Sequence, residues 1–200
     1  MCIYSIFGYG KGKTESAVGI TIRAIANDEK ILFAQFLKNG ESSEIKFLEN
    51  DELHVKILTT GTNNVVLPQN KTLEDIDACA ELYRKVFNEI ATKEYNMLVL
   101  DEILVAVDIG IISYAMLDLL LRECKDCGVD VYMTGRIRNA NTRQHIIDIS
   151  DCCTNAYCEK HMYNKHCEYC RNDFPFHYTY CPDCGSELQE SKPCKIGRDY

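Results

Sequence analysis

This chain of 200 residues is short of positive charge, of long apolar runs and of any leader-like start. Lysine and arginine number 22 against 30 aspartate and glutamate residues, giving a formal net charge of −8 and a pI near 5.2. No basic stripe is available to neutralise phosphates or anionic lipid, which excludes a general nucleic-acid binder and a membrane-surface binder. Any phosphate is then met locally. The longest apolar runs are strand-sized, and no charged segment precedes an apolar one near the N-terminus. Neither a membrane span nor a secretory signal is read, and the expected location is cytoplasmic.

What is present suits one α/β domain with a small appendage. Twelve cysteines in a small secreted protein would mean a disulfide framework, but in a reducing compartment CxxC pairs more often hold metal. Eight of the twelve fall between Cys152 and Cys194, which favours metal in one segment over bridges throughout.

The strand-like run Cys2–Phe7 leads directly into Gly8, Tyr9, Gly10, Lys11, Gly12, Lys13 and Thr14. Glycines let successive backbone N–H groups turn onto oxyanions, and a following helix adds the partial positive charge of its N-terminus. In such a phosphate loop Lys13 sits on the phosphates and Thr14 on a magnesium ion. The strict GxxxxGK[ST] pattern has glycine where Phe7 stands, so Gly8 comes one residue late. The bland reading is a glycine-rich turn with no ligand.

Past the loop, Glu15 to Asn27 is expected to be a helix whose apolar face is Val18, Ile22, Ile25 and Ala26. Lys30–Phe36 and Leu53–Leu58 read as strands, with a loop at Asn39–Ser43 and a polar turn at Thr59–Asn64. Thr72 opens a long helix with Asp75 as its capping partner. Met97–Leu100 is a short strand closed by Asp101 and Glu102, and a helix over about Tyr114–Cys127 is followed by a strand Val129–Met133 that stops at Thr134-Gly135-Arg136. Strands alternating with helices predict a P-loop NTPase-like α/β fold, a parallel sheet flanked by helices, with ligands at the carboxyl ends of the strands.

The loop, Asp101-Glu102 and Gly135-Arg136 all fall at such ends. A carboxylate there can hold magnesium opposite the Thr14 hydroxyl, a role that either Asp101 or Glu102 fits. Arg136 could clamp phosphate or ribose, whereas Arg23, three turns into the first helix, reads equally well as a surface residue.

Cys167-Glu-Tyr-Cys170 and Cys181-Pro-Asp-Cys184 are CxxC pairs ten residues apart, with an aromatic strand-like stretch from Phe174 to Tyr180 between them. Each turn points two thiolates to one side, so the two complete a tetrahedral zinc site whose positions are all protein, hence structural. The expected organisation is a nucleotide-binding α/β domain over 1–150 and a small zinc-ribbon-like segment over 151–194. Cys124 and Cys127, on a helix end, read as ordinary buried cysteines. Cys152, Cys153, Cys158, His161, His166 and Cys194 could form a second metal site or replace one ligand of the first.

Taken in order, the loop Gly8–Thr14, Arg23-Ala24, Gln35-Phe-Leu-Lys38 with Gly40-Glu41, Val99-Leu-Asp-Glu102, Thr134-Gly-Arg136, Lys160-His161 and Gly197-Arg-Asp-Tyr200 resemble the P-loop ATP:corrinoid adenosyltransferases, which act on cob(I)alamin or cob(I)yrinic acid a,c-diamide. That family also carries the late Phe-Gly form of the loop. The resemblance implies transfer of the 5′-deoxyadenosyl group of ATP to the Co(I) of a corrinoid with release of triphosphate, in adenosylcobalamin biosynthesis or salvage. It implies that Gly8, Tyr9, Gly10, Lys11, Gly12, Lys13 and Thr14 hold the triphosphate, that Lys13, Thr14 and Glu102 carry the catalysis, that Thr14 with Asp101 or Glu102 holds Mg2+, and that Arg23 and Arg136 contact the nucleotide. Residues 195–200 then return to the family pattern after an added cysteine segment. ATP and the corrinoid are the substrates; an electron-donor protein and a second copy of the chain are left open as partners. Where the family usually has Gly-Phe-Thr-Trp, this chain has Gly61-Thr62-Asn63-Asn64, so either other residues cover the corrinoid face or the substrate lacks a strongly held lower ligand, and the second option favours incomplete corrinoids. The rival readings are a zinc-containing thymidine kinase of the cellular type and a non-catalytic ATP-dependent regulator.

Overall fold

Short apolar runs bounded by glycine or polar residues become strands, and the amphipathic stretches between them become helices. The computed structural model describes residues 1–60, 66, 70–157, 165–170, 172–174 and 178–190, and it divides into two units, Met1–Tyr157 and Cys158–Tyr200. In chain order the first holds β1 (Ile3–Phe7), α1 (Lys13–Ile25), β2 (Ile31–Gln35), α2 (Ser43–Leu48), β3 (Val55–Thr59), α3 (Leu73–Ala91), β4 (Met97–Asp101), α4 (Ile103–Asp108), α5 (Tyr114–Cys127), β5 (Asp130–Gly135), α6 (Ala140–Ile149) and β6 (Cys152–Asn155). The second holds β7 (Lys165–Cys167), β8 (Asn172–Phe174) and β9 (Gln189–Glu190).

The six strands of the first unit are all parallel, in the order β3-β2-β4-β5-β1-β6. β2 and β4 are buried along their whole length, as strands covered by helices on both faces must be. Side chains alternate across the pleat. Leu32, Ala34, Leu98, Leu100, Val131 and Met133 pack with α3 and α5 side chains such as Leu82, Val86, Leu117 and Leu120. Ile31, Phe33, Met97 and Val99 pack on the other face with Ala17 and Ala24 of α1 and Ile45 and Leu48 of α2.

Helix ends follow local chemistry. Thr72 and Asp75 form a reciprocal capping box on α3, and α5 is capped by Ser113 and closed by Gly128 at a left-handed φ of 74°. Among the described residues no helix is long and apolar enough to cross a membrane.

Two expectations need correction. α1 starts at Lys13 and buries Ala17, Thr21 and Ala24, while Ile22 is 48% exposed. Small side chains let the helix lie close to the sheet, and the Thr21 hydroxyl donates to the Ala17 carbonyl at 2.8 Å, so the buried stripe is turned from the most apolar one. β5 runs on through Thr134 and Gly135. Cys152 and Cys153 lie on the edge strand β6, exposed, a strand that their polar neighbours did not announce.

In the second unit β7 is central in a three-stranded antiparallel sheet, and Cys167, Phe174, Cys181 and Leu188 form its core. Phe174, the first residue of the expected aromatic stretch, is the last of β8, and Tyr180, its last residue, bridges to Glu187. The turn Gly61–Asn64 and the residues Cys158, Lys160, His161, Cys194 and Gly197–Tyr200 lie outside the described residues.

Candidate functional site

Pleat parity assembles the site. Gln35, Asp101 and Thr134 sit on the strand positions that face α1, at the carboxyl ends of β2, β4 and β5, and Gln35 is level with Asp101 in the ladder. α1 begins beside them, after the loop from β1.

That loop is fastened from β6. Gly10 donates its N–H to the Ala156 carbonyl at 2.8 Å, and Ala156 donates to the Phe7 carbonyl at 2.7 Å. Gly8, at φ 117°, lies so close that a Cβ there would stand 2.5 Å from the Ala156 carbonyl oxygen, so only glycine fits. Gly12 is the left-handed N-cap of α1 with no side-chain cap, which leaves the first-turn N–H groups available to an anion. Lys13 folds over the loop, its Nζ donating to the Gly10 carbonyl at 2.6 Å. Burial lowers its pKa; nearby Arg136 and Lys38 act in the same direction, Glu102 and Glu15 against.

Asp101 is fully buried, and four side chains donate to it. Thr134 Oγ1 reaches Oδ1 at 2.6 Å, and Gln35 Nε2 and Lys38 Nζ reach Oδ2 at 2.8 and 2.9 Å. Thr14 Oγ1 lies 3.1 and 3.3 Å from the two oxygens. Burial pushes the Asp101 pKa up, but the Lys38 ammonium and the donations from Thr134 and Gln35 outweigh it and hold the carboxyl below its ordinary value.

Glu102 occupies a left-handed turn at φ 61°, its backbone N–H held by Thr134 Oγ1 at 3.1 Å. Its pKa moves the other way: burial raises it, and the charge of Asp101 adds to the rise against Lys38. One carboxylate is thus fixed as an anion and its neighbour is held less firmly.

The structure therefore brings Lys13, Thr14, Asp101 and Glu102 together. Arg136, directly after β5, stacks its guanidinium over the Tyr9 ring at 4.8 Å from the centroid, tying the loop to the next strand end. Lys11 is exposed on the loop. Arg23 is not brought in: it is exposed, ten residues and about 15 Å along the α1 axis from Lys13.

Gln35, Lys38 and Thr134 carry no role in the sequence reading, although each stands at or just past a strand end, the signal that found Asp101. Ala156, which fastens the loop, gave no signal, because β6 before it has no apolar periodicity.

In the second unit the Sγ atoms of Cys167, Cys170, Cys181 and Cys184 all lie within 4.8 Å of one another, the one group of this kind among the described residues. Metal–sulfur bonds of roughly 2.3 Å in a tetrahedron separate the sulfurs by about 3.8 Å. The Cys167–Cys184 and Cys170–Cys181 separations are 3.6 and 3.8 Å. The Cys170 N–H donates to Cys167 Sγ at 3.4 Å, and the hydrogen bond with Ser186 brings the Cys184 thiol down to about 6. The thiols fit a metal ion. Cys124 is fully buried and Cys127 partly so, as ordinary cysteines of α5.

Residues 1–171 match the model of the family described as ATP:corrinoid adenosyltransferase BtuR/CobO/CobP. An uncharacterised protein of Nostoc sp. (strain PCC 7120) is 27% identical over 157 residues, which cover 72% of this chain and 40% of that protein. A corrinoid adenosyltransferase of Sinorhizobium sp is 27% identical over 160 residues, covering 79% of this chain and 72% of the relative. The chain thus spans well under two thirds of the first relative and more than that of the second.

Proposed function

Because the chain belongs to the ATP:corrinoid adenosyltransferase family, we propose that it transfers the 5′-deoxyadenosyl group of ATP to the Co(I) of a corrinoid. The Co(I) electron pair forms the bond to C5′, leaving cobalt formally Co(III), while the bond from C5′ to the triphosphate oxygen breaks and triphosphate leaves with the pair of that broken C–O bond. The convergence of Lys13, Thr14, Asp101 and Glu102 beside an uncapped helix N-terminus carries the reading. Since the nucleophile is the cobalt, the protein needs no general base; it has to orient the nucleotide and stabilise a departing polyanion, which fixed N–H groups and lysines do electrostatically.

Gly8 to Thr14 hold the triphosphate, with Lys13 released from the Gly10 carbonyl onto it. Arg136, stacked on Tyr9, is positioned to contact the nucleotide, and Arg23 remains a proposed contact that supposes a bound chain reaching along α1. Thr14 and Asp101 or Glu102 are oxygen donors suited to magnesium, which when bound supplies charge neutralisation for the leaving triphosphate. Zinc is the metal proposed for the four thiolates, where it would hold the tail together without an open position. An electron donor that keeps cobalt reduced is part of the proposal.

Anaerobic incubation with ATP and chemically prepared Co(I) cobinamide or cobalamin tests it. The visible spectrum of the adenosylated corrinoid and release of triphosphate are expected. ATP binding with neither product would overturn the transferase reading. Because Gly61–Asn64 lacks the bulky aromatics that would exclude an axial ligand, cobinamide is expected to outpace cobalamin when the corrinoid is supplied as Co(II) with a mild reductant; equal rates would remove that preference.

A further inference from the structure

We propose that the Lys38 ammonium is a tethered cation that fills the divalent-metal position of the nucleotide-free protein and yields it only to a metal arriving with triphosphate. The proposal rests on the reading above that Thr14 with Asp101 or Glu102 holds the metal.

Lys38 Nζ stands 2.9 Å from Asp101 Oδ2, 3.0 Å from Thr14 Oγ1 and 3.6 Å from Glu102 Oε1. Those oxygens include the Thr14 hydroxyl and both carboxylates proposed as alternative magnesium donors, and the ammonium lies among them. A second cation cannot share that position at contact distance, because the like-charge repulsion is large where the surroundings are half buried. Metal alone is therefore excluded while Lys38 stays.

The lysine is also built to leave. Its backbone is anchored, with Thr60 Oγ1 donating to the Lys38 carbonyl at 3.1 Å, and it follows Leu37 at a left-handed φ of 56° in the turn after β2. The side chain keeps 34% of its surface exposed, so four carbons can pivot from a fixed point without disturbing the core. Asp101 keeps its neutral hydrogen bonds, since Thr134, Gln35 and Thr14 continue to donate once Lys38 moves, and the arriving metal replaces the ammonium charge that keeps it ionised. Triphosphate supplies the reason to move, as a polyanion attracts the ammonium while bringing a cation to replace it. Metal binding, nucleotide binding and delivery of one further positive charge to the leaving group then become a single event.

Mn2+ alone, followed by electron paramagnetic resonance or calorimetry on the zinc-loaded full chain, is the probe. Nucleotide-free Lys38→Gln and Lys38→Met are expected to bind Mn2+ at least about tenfold more tightly than the wild type, and adding Thr14→Ala is expected to remove the gain. An unchanged or weakened Mn2+ affinity in both folded variants would overturn the proposal. Should neither variant fold, the wild type decides: Mn2+ binding that needs Thr14 but not ATP overturns it, and binding that needs both supports it. If Mn2+ fails to bind even with ATP present, the metal reading of the site falls, an outcome separate from failure of the Lys38 gate.

Discussion

Around the six-stranded sheet, hydrophobic side chains fill both faces and the chemistry stands at one edge; in the cysteine unit, Cys167 and Cys181 are themselves half of the four-residue core. Where the core is independent of the site, a functional residue can be changed without unfolding the chain. Where the candidate ligands are the core, site and fold are expected to be lost together.

The largest effect separates the two units. Stripping the metal, or Cys181→Ser, is expected to remove the ordered structure of the tail, because four-thiolate zinc binding contributes on the order of 10–16 kcal/mol to such small modules. The sheet should keep its amide protection. Hydrogen exchange with metal analysis measures both, and a metal-free tail that stays protected would break the comparison.

Lys13→Ala should lower turnover on the order of 10²–10³-fold, as loss of one preorganised transition-state donor does. The thermal midpoint should move by no more than about 2 °C, since Lys13 packs in no core and bonds only the loop carbonyl. A large fall in midpoint would place this lysine among the structural residues.

Thr134→Val probes the seam between scaffold and site. It removes the shortest donor to buried Asp101 and is expected to cost about 1–3 kcal/mol at neutral pH. The sign with pH follows from the depressed Asp101 pKa: its stabilisation is present above the ordinary carboxylate value and is lost as pH falls through the lower folded value. Denaturant midpoints of wild type and variant should therefore converge on acidification. A gap constant with pH would mean that the hydroxyl acts through packing.

The smallest effect has the opposite sign. The Glu102 pKa is raised, chiefly by burial, so the charged form weakens the free protein at neutral pH and protonation relieves it as pH falls through the raised value. Glu102→Gln should gain a few tenths to about 1 kcal/mol while weakening metal–ATP binding. Destabilisation instead would show that this residue belongs to the scaffold, as the cysteines do.

Much of this was legible locally. The β1 run into the glycine loop, the Thr72–Asp75 cap, α5 and both CxxC turns depend on neighbours a few residues apart, and they stand where spacing put them. The α1 stripe misled because hydropathy does not report how near a helix must approach a sheet, and Ala17 and Ala24 win on size. β6 was invisible, since an exposed strand of Cys-Cys-Thr-Asn has no pattern, yet its end fastens the phosphate loop. Lys38 could be seen past a strand end, but its contact with Asp101, 63 residues away, could not.

Local sequence was enough to lay down the glycine loop before α1, the Asp101-Glu102 strand end and the paired thiols, because backbone reach and side-chain chemistry act there over a few bonds. It took the assembled sheet to place β5 between β4 and β1, which sets Thr134 beside Asp101, and to bring the Lys38 ammonium among Thr14, Asp101 and Glu102. Strand order and pleat parity join residues from 24 to 87 positions apart, and over that separation no periodicity in the chain records who will be neighbours.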